Sequence, residues 1–169
     1  HTRLHKELPT LLHIAPEVSL MHHFERLYKG SDHYLTADLE SPLARMHFDV
    51  QQIPLADESV DVVICNHLFE HVADDRRAMG ELYRTMRRGG WGIMIVPEER
   101  GRSTTFEDDS ITDTEERTRL FGQYDHRRVY GRDYDDRLRE AGFEVERITC
   151  DELLSADEQR LYATGGDDL

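Results

Sequence analysis

Lysine is almost missing from this 169-residue chain: Lys6 and Lys29 are the two, and every other basic residue is an arginine. With a formal net charge of −14, the surface offers no basic field for phosphate backbones, which argues against nucleic acid as a partner. No apolar run approaches the roughly 18 residues that a membrane-spanning helix needs, and no signal-peptide pattern opens the chain. The expectation is therefore a cytoplasmic protein without a membrane partner. The two cysteines, Cys65 and Cys150, stand far apart and outside any metal spacing, so no metal is expected from them, and Cys65, closing a β-branched run, reads as a small apolar residue. A Gly-x-Gly-x-x-Gly turn is also lacking from Leu11 to Leu20, which disfavours a dinucleotide pyrophosphate site.

What is present points to one domain over residues 1–169. The apolar share of 38% can build a core, while 33% charged residues give an acidic, strongly charged surface. An arginine-rich, lysine-poor, aspartate-rich composition suits a salt-adapted or high-GC source, where ionic strength screens self-repulsion.

The chain is organised around Met46 to Pro97. Met46-His47-Phe48-Asp49-Val50 reads as a strand whose end is Asp49. Val60 to Cys65 is a β-branched run, too short for a helix and bounded by turn residues, hence a buried strand. From Asp74 to Arg88 a helix is expected, with Ala78, Leu82, Tyr83 and Met86 inward; Gly89-Gly90 should stop it, and Trp91 to Pro97 should form a second buried strand. Strand, helix and strand make one βαβ unit of a parallel sheet.

Before this core, Leu4 and Leu8 suggest a short helix over His1 to Leu8. Pro9 to Glu17 reads as the first strand and its loop, and Val18 to Tyr28 as a helix with Leu20, Phe24, Leu27 and Tyr28 inward, ended by Gly30. His33 to Leu39 is a second strand. Asp38 at its end suits a pair of ribose hydroxyls, because a carboxylate accepts two hydrogen bonds at once; the alternative is a turn-forming Asp before Glu40-Ser41-Pro42. After Pro97, Glu98 to Glu116 is polar and acidic, a lid or solvated insertion over 98–128 containing a short helix at Thr114 to Phe121. A helix follows over Asp133 to Ala141, capped by Gly142, and Phe143 to Ile148 alternates as a strand. Asp151 to Leu169 shows no further strand.

Taken in order, Asp49-Val50 with Ile53-Pro54-Leu55, Ser59 to Val63, Glu70-His71-Val72, and Leu82-Tyr83-Arg84 through Arg88-Gly89-Gly90 resemble the core of class I S-adenosylmethionine-dependent methyltransferases. The resemblance is to their small-molecule, type 11-like branch. It implies a doubly wound, Rossmann-like α/β fold with a mostly parallel sheet and helices on both faces, the last antiparallel strand being absent from view. It implies S-adenosylmethionine as cofactor, S-adenosylhomocysteine as product and a small-molecule acceptor. Most of that family has an acid and then a glycine-rich first loop. Here His13 takes the acid's place and Ala15-Pro16-Glu17 the glycines', as in a subgroup with a Leu-His-x-Ala-Pro-Glu loop. The resemblance thus assigns His13, Ala15, Pro16 and Glu17 to the methionine end of the cofactor, with Glu17 accepting from its ammonium; a carboxylate favouring the next helix's N-terminus is the alternative. It assigns Asp38 and Leu39 to the ribose, Asp49 to the adenine amino group and Val50 to the ring. Asn66, His67 and Leu68 pass the methionine portion. The segment Phe121 to Tyr130, with His126-Arg127-Arg128, is likewise similar to the subgroup.

Methyl transfer depends chiefly on positioning, and a base is needed only for an acceptor proton of high pKa. His71 and His126 are the candidates for that base, each also explicable as a loop-bracing residue. A cofactor-binding domain without turnover is the alternative function. A third, a zinc peptidase, arises because His67-Leu68-Phe69-Glu70-His71 fits an inverted His-x-x-Glu-His pattern with Glu140 downstream; it needs both histidines on one helical face.

Overall fold

The computed structural model describes residues 8–99, 101–148, 150–153 and 155. The helix expected over His1 to Leu8 and most of the acidic tail from Asp151 lie outside them.

Five parallel strands build the main sheet: β1 (Leu11–Ile14), β2 (Tyr34–Asp38), β3 (Met46–His47), β4 (Val60–Asn66) and β5 (Met86–Ile95), in the spatial order β3-β2-β1-β4-β5. The order reverses beside β1, which pairs with β2 through Leu11–Tyr34 to Ile14–Ala37 and with β4 through Leu11–Val62 to Ile14–Cys65. Because side chains alternate across a strand, each central strand feeds both faces. Leu11, Val62 and Ile64 point to one face, where Met21, Phe24 and Tyr28 of the first helical segment and Tyr34 cover them. Leu12, Ile14, Val63 and Cys65 point to the other, packed with Phe69, Ala78, Met79, Leu82, Tyr130, Tyr134 and Leu138. The fold is the doubly wound, Rossmann-like one.

Helix α1 (Val18–Leu27) buries Met21 and Phe24, and Leu20 is instead exposed. The sequence placed Leu20 inward. The stripe that faces the sheet is 21, 24 and 28, one position further round the helix. Helix α2 (Asp75–Thr85) starts at Asp74, whose side chain accepts from the Arg77 amide, and buries Ala78, Met79 and Leu82; Tyr83 turns outward. Arg84 near its end donates to the carbonyls of Ile53 and Leu55 at 2.9 Å each, and Glu81 accepts from the Ile53 amide at 2.8 Å. These bonds fasten the Ile53-Pro54-Leu55 segment to the end of α2.

The helix stops at Thr85, three residues before the expected Arg88, and Gly89-Gly90 lies inside β5 rather than ending a helix. Met86 already has an extended backbone and pairs with Val60, with an irregularity in register before Val62 meets Trp91. A Cβ on Gly90 would stand 2.7 Å from the Asp61 carbonyl oxygen, so this glycine serves a close backbone approach. β5 is also not buried: Ile93 is 43% and Ile95 47% exposed. β3 is shorter than expected, ending at His47, so that Asp49 and Val50 lie in the turn beyond it.

Beyond the sheet come β6 (Phe106–Glu107), α3 (Thr114–Phe121) and β7 (Arg128–Val129), with β6 and β7 pairing antiparallel. α4 (Tyr134–Ala141) packs on α2 and ends at Gly142, with φ of 112°. A one-turn α5 (Cys150–Leu153) follows. Phe143 to Ile148 forms no strand, contrary to its alternation. Phe143 and Val145 do lean on the core, so the alternation records sidedness without a ladder partner. No helix among the described residues is long and apolar enough to cross a membrane.

Candidate cofactor and acceptor site

Since the strands are parallel, their C-terminal ends share one edge, where open α/β sheets bind ligands. Ala15, Asp38, Asp49 and Asn66 all lie there: Asp38 and Asn66 close β2 and β4, and Ala15 and Asp49 stand just beyond β1 and β3.

The first loop is tied directly to the fourth strand. His13 is fully buried; its Nδ1 lies 2.9 Å from the Tyr34 hydroxyl and its Nε2 2.8 Å from Glu17 Oε2. The other Glu17 oxygen accepts from Asn66 Nδ2 at 2.9 Å. Burial holds the His13 imidazole below its ordinary pKa, although the Glu17 carboxylate pulls the other way. Burial by itself would raise Glu17, but the hydrogen bonds from Asn66 and His13 outweigh it and keep this carboxyl below its usual range. Asn66 is 8% exposed and its Oδ1 has no hydrogen-bond partner among the described residues. Ala15 and His67, one in each loop, adopt φ of 47° and 51°, the left-handed region that non-glycine residues seldom occupy. Pro16 is buried between them in sequence, and Leu68 is half-buried.

The other acids are held more locally. Asp38 Oδ1 accepts from the amides of Glu40 and Ser41 at 2.8 and 2.7 Å, so the turn-forming role is real; among the described residues Oδ2 accepts nothing. Leu39 beside it is 63% exposed at the strand edge. Asp49 accepts from the Gln51 amide and from Gln51 Nε2, while Val50 is buried beneath the turn.

On the far side of β4 the two histidine candidates meet. The His71 and His126 rings stand edge to face, 4.7 Å between centroids. Two neighbouring arginines build the frame around them. The buried Arg128 guanidinium donates to the carbonyls of Phe69, Val72 and Ala73 and to Glu107 Oε2, and the Arg127 amide donates to the Glu70 carbonyl at 2.8 Å. Arg137 spans Asp75 and Glu107 at 2.8 and 3.0 Å, and the Tyr130 hydroxyl donates to Asp75 at 2.7 Å. Burial would lower both arginines, yet the hydrogen bonds and charges of Glu107 and Asp75 raise them. Burial, then Glu107's partners Arg137 and Arg128, act in opposite directions on Glu107, and the arginines win, holding it below the usual carboxylate range. Sequence reasoning missed this five-residue network and the burial of Glu70. Its one signal was the pair of arginines following His126.

The peptidase geometry does not form. Residues 67–73 make turns rather than a helix, the His67 side chain is 59% exposed, and Glu140 pairs with Arg76.

Comparison with known proteins bears on the fold and on the middle of the chain. Residues 19–94 match the family model described as "Methyltransferase domain". A curated Mycolicibacterium smegmatis protein, named "Probable S-adenosylmethionine-dependent methyltransferase", is 29% identical over 100 residues, 59% of this chain and 35% of that one. The chain thus spans about a third of that relative's length. Among solved structures, the YcgJ protein of Bacillus subtilis superposes with a TM-score of 0.57 at 15% identity, covering 95% of this chain and 79% of that one. An S-adenosylmethionine-dependent methyltransferase of Mesorhizobium loti gives 0.56 at 14% identity, over 82% and 76%. At such identities the structures speak for the fold alone, and the sequence matches are a likeness over part of the chain. Residues 19–94 are thus similar to the methyltransferase domain family, and the chain shares the fold of solved S-adenosylmethionine-dependent methyltransferases.

Proposed function

We propose that the protein transfers a methyl group from S-adenosylmethionine to a small-molecule acceptor. The observation that carries this reading is the Glu17 carboxylate, fixed between His13 and Asn66 at the end of the parallel sheet with its charged form favoured. A cofactor ammonium is the natural partner for such a group, and Ala15, Pro16, His67 and Leu68 shape the walls beside it. Asp38 takes the ribose hydroxyls on its second oxygen, with Leu39 beside them. Asp49 exchanges its Gln51 contact for the adenine amino group, and Val50 supports the ring.

Residues 98–128 cover the acceptor side as a lid, and the acids Glu107, Asp108, Asp109, Asp113, Glu115 and Glu116 disfavour a strongly anionic acceptor. In the reaction the chain's work is alignment: an in-line displacement needs donor and acceptor held at near-attack distance. His71 and His126 stand where a protonated acceptor could pass its proton.

Calorimetric titration with S-adenosylmethionine and S-adenosylhomocysteine tests the reading, on this chain and on Asp38→Ala and Asp49→Ala. Binding weakened roughly tenfold or more by each substitution is expected, the loss of about one hydrogen bond to a charged group. No binding at low or high salt would sink the proposal. Binding with no turnover on any acceptor would instead favour a non-catalytic cofactor domain.

A further inference from the structure

We propose that Glu70, His71 and His126 form a binding site for a divalent transition-metal cation, with Zn2+ the best-matched ion. Each residue offers one ligand atom, and these atoms all lie within 4.8 Å of one another. Donors around a single Zn2+ at about 2.0–2.2 Å stand roughly 3.5 Å apart, so the three close on an ion by side-chain movements of about 1 Å.

Acceptors outside the triad stand behind both rings. His126 Nδ1 lies 2.9 Å from the Phe121 carbonyl oxygen, and His71 Nδ1 lies 3.2 Å from Asp125 Oδ2. A carbonyl can only accept, so the His126 Nδ1 faces it with its proton and leaves Nε2 for a ligand, and the Asp125 carboxylate beside His71 Nδ1 favours the same arrangement there. Metal-binding histidines are oriented in this way by acceptors behind them.

Glu70 supplies the second, independent observation. It is 1% exposed, and its Oε2 finds no hydrogen-bond partner among the described residues. Its other oxygen stays 3.6 Å from His67 Nδ1, beyond a good hydrogen bond. A buried carboxylate oxygen without a donor is costly, and a cation between it and two imidazoles removes that cost. The neighbouring charge of Arg128 does not oppose the ion strongly, because Glu107 pairs with it at 2.9 Å. Two imidazoles and one carboxylate suit Zn2+, Co2+ or Fe2+ rather than Mg2+ or Ca2+, and three protein donors leave a position for a further ligand. This pairing differs from the one the sequence suggested: His67 stays outside, and His126 arrives from the segment after α3. It does not depend on the methyl-transfer reading, and an ion bound here takes the place of the proton-accepting role given to His71 and His126 above.

The test uses chelator-treated protein and metal alone. Zn2+ titration by calorimetry should give one ion per chain, and Co2+ should develop visible d–d absorption. His71→Ala and His126→Ala should each weaken Zn2+ by more than tenfold, and the exposed control His22→Ala should not. Asp125→Asn, which leaves the ligands in place, should weaken it by about 10- to 100-fold. Should His126→Ala or Glu70→Gln fail to fold, the half-exposed His71 and Asp125 variants decide. Zn2+ binding that is absent, or unchanged by His71→Ala and Asp125→Asn, overturns the site whatever happens with S-adenosylmethionine.

Discussion

Glu17 and Asn66, 49 residues apart, meet at 2.9 Å and join the first loop to the end of the fourth strand. With His13 on the other oxygen, the carboxylate has little freedom, and a ligand ammonium would meet it already oriented. Asn66→Ala should therefore weaken S-adenosylmethionine binding about tenfold, and Glu17→Gln at least as much, with similar losses for S-adenosylhomocysteine because both share the amino acid end. Calorimetry on the two variants checks this. Unchanged affinity in Glu17→Gln would show that the carboxylate serves only the loop.

The same pair fixes a pH dependence. His13 has a folded pKa below the ordinary 6.5, so the unfolded chain takes up its proton first as the pH falls. Stability should decline as pH drops through about 6.5 and stop declining, for this group, below its folded pKa. Glu17 is depressed below 4.5; its contribution is present above that value and is lost as pH falls through the folded pKa. Urea unfolding at pH 7.5 and 5.5 should show a smaller difference in His13→Gln than in the parent chain. Equal differences would contradict the assignment.

Arg128 carries a heavier structural duty. Replacing it with Met leaves three carbonyls without their donor and Glu107 with one fewer partner, a loss of about 3–5 kcal/mol in denaturant unfolding. Arg128→Lys should recover only part of this, since one ammonium cannot reproduce a planar fork directed at Phe69, Val72, Ala73 and Glu107.

At the end of α4, a Cβ on Gly142 would lie 2.6 Å from the Tyr83 ring, on a backbone with φ of 112°. Gly142→Ala should cost about 1–3 kcal/mol. Adding Tyr83→Ala should return the part due to the clash and leave the part due to the backbone, so a double-mutant cycle separates the two.

Much of this architecture was readable beforehand. β2 and β4 and helices α1, α3 and α4 fall within a residue or two of their expected bounds, because each has a strong period and a clear stop. The errors share a cause. Gly89-Gly90 looks like a helix terminator, yet Gly90 is needed where β5 crosses close to Asp61, a relation between strands that no local window contains. Phe143 to Ile148 alternates convincingly, and alternation cannot say whether a neighbouring strand is available. The edge proposed for the cofactor was legible as a place in the fold for the same reason the strands were: parallel strands bring their ends together. The meeting of Glu70 with His126 was not, since 56 positions of sequence separate them and nothing in either segment names the other.

The brace around Arg128 also ties a late segment of the chain to an early one. Its contacts reach back 55 to 59 residues, to the loop that follows β4. The rim around Phe69, Val72 and Ala73 is thus closed by a segment that lies beyond every strand of the main sheet in sequence, and the loop after β4 has its carbonyls satisfied only through that later segment.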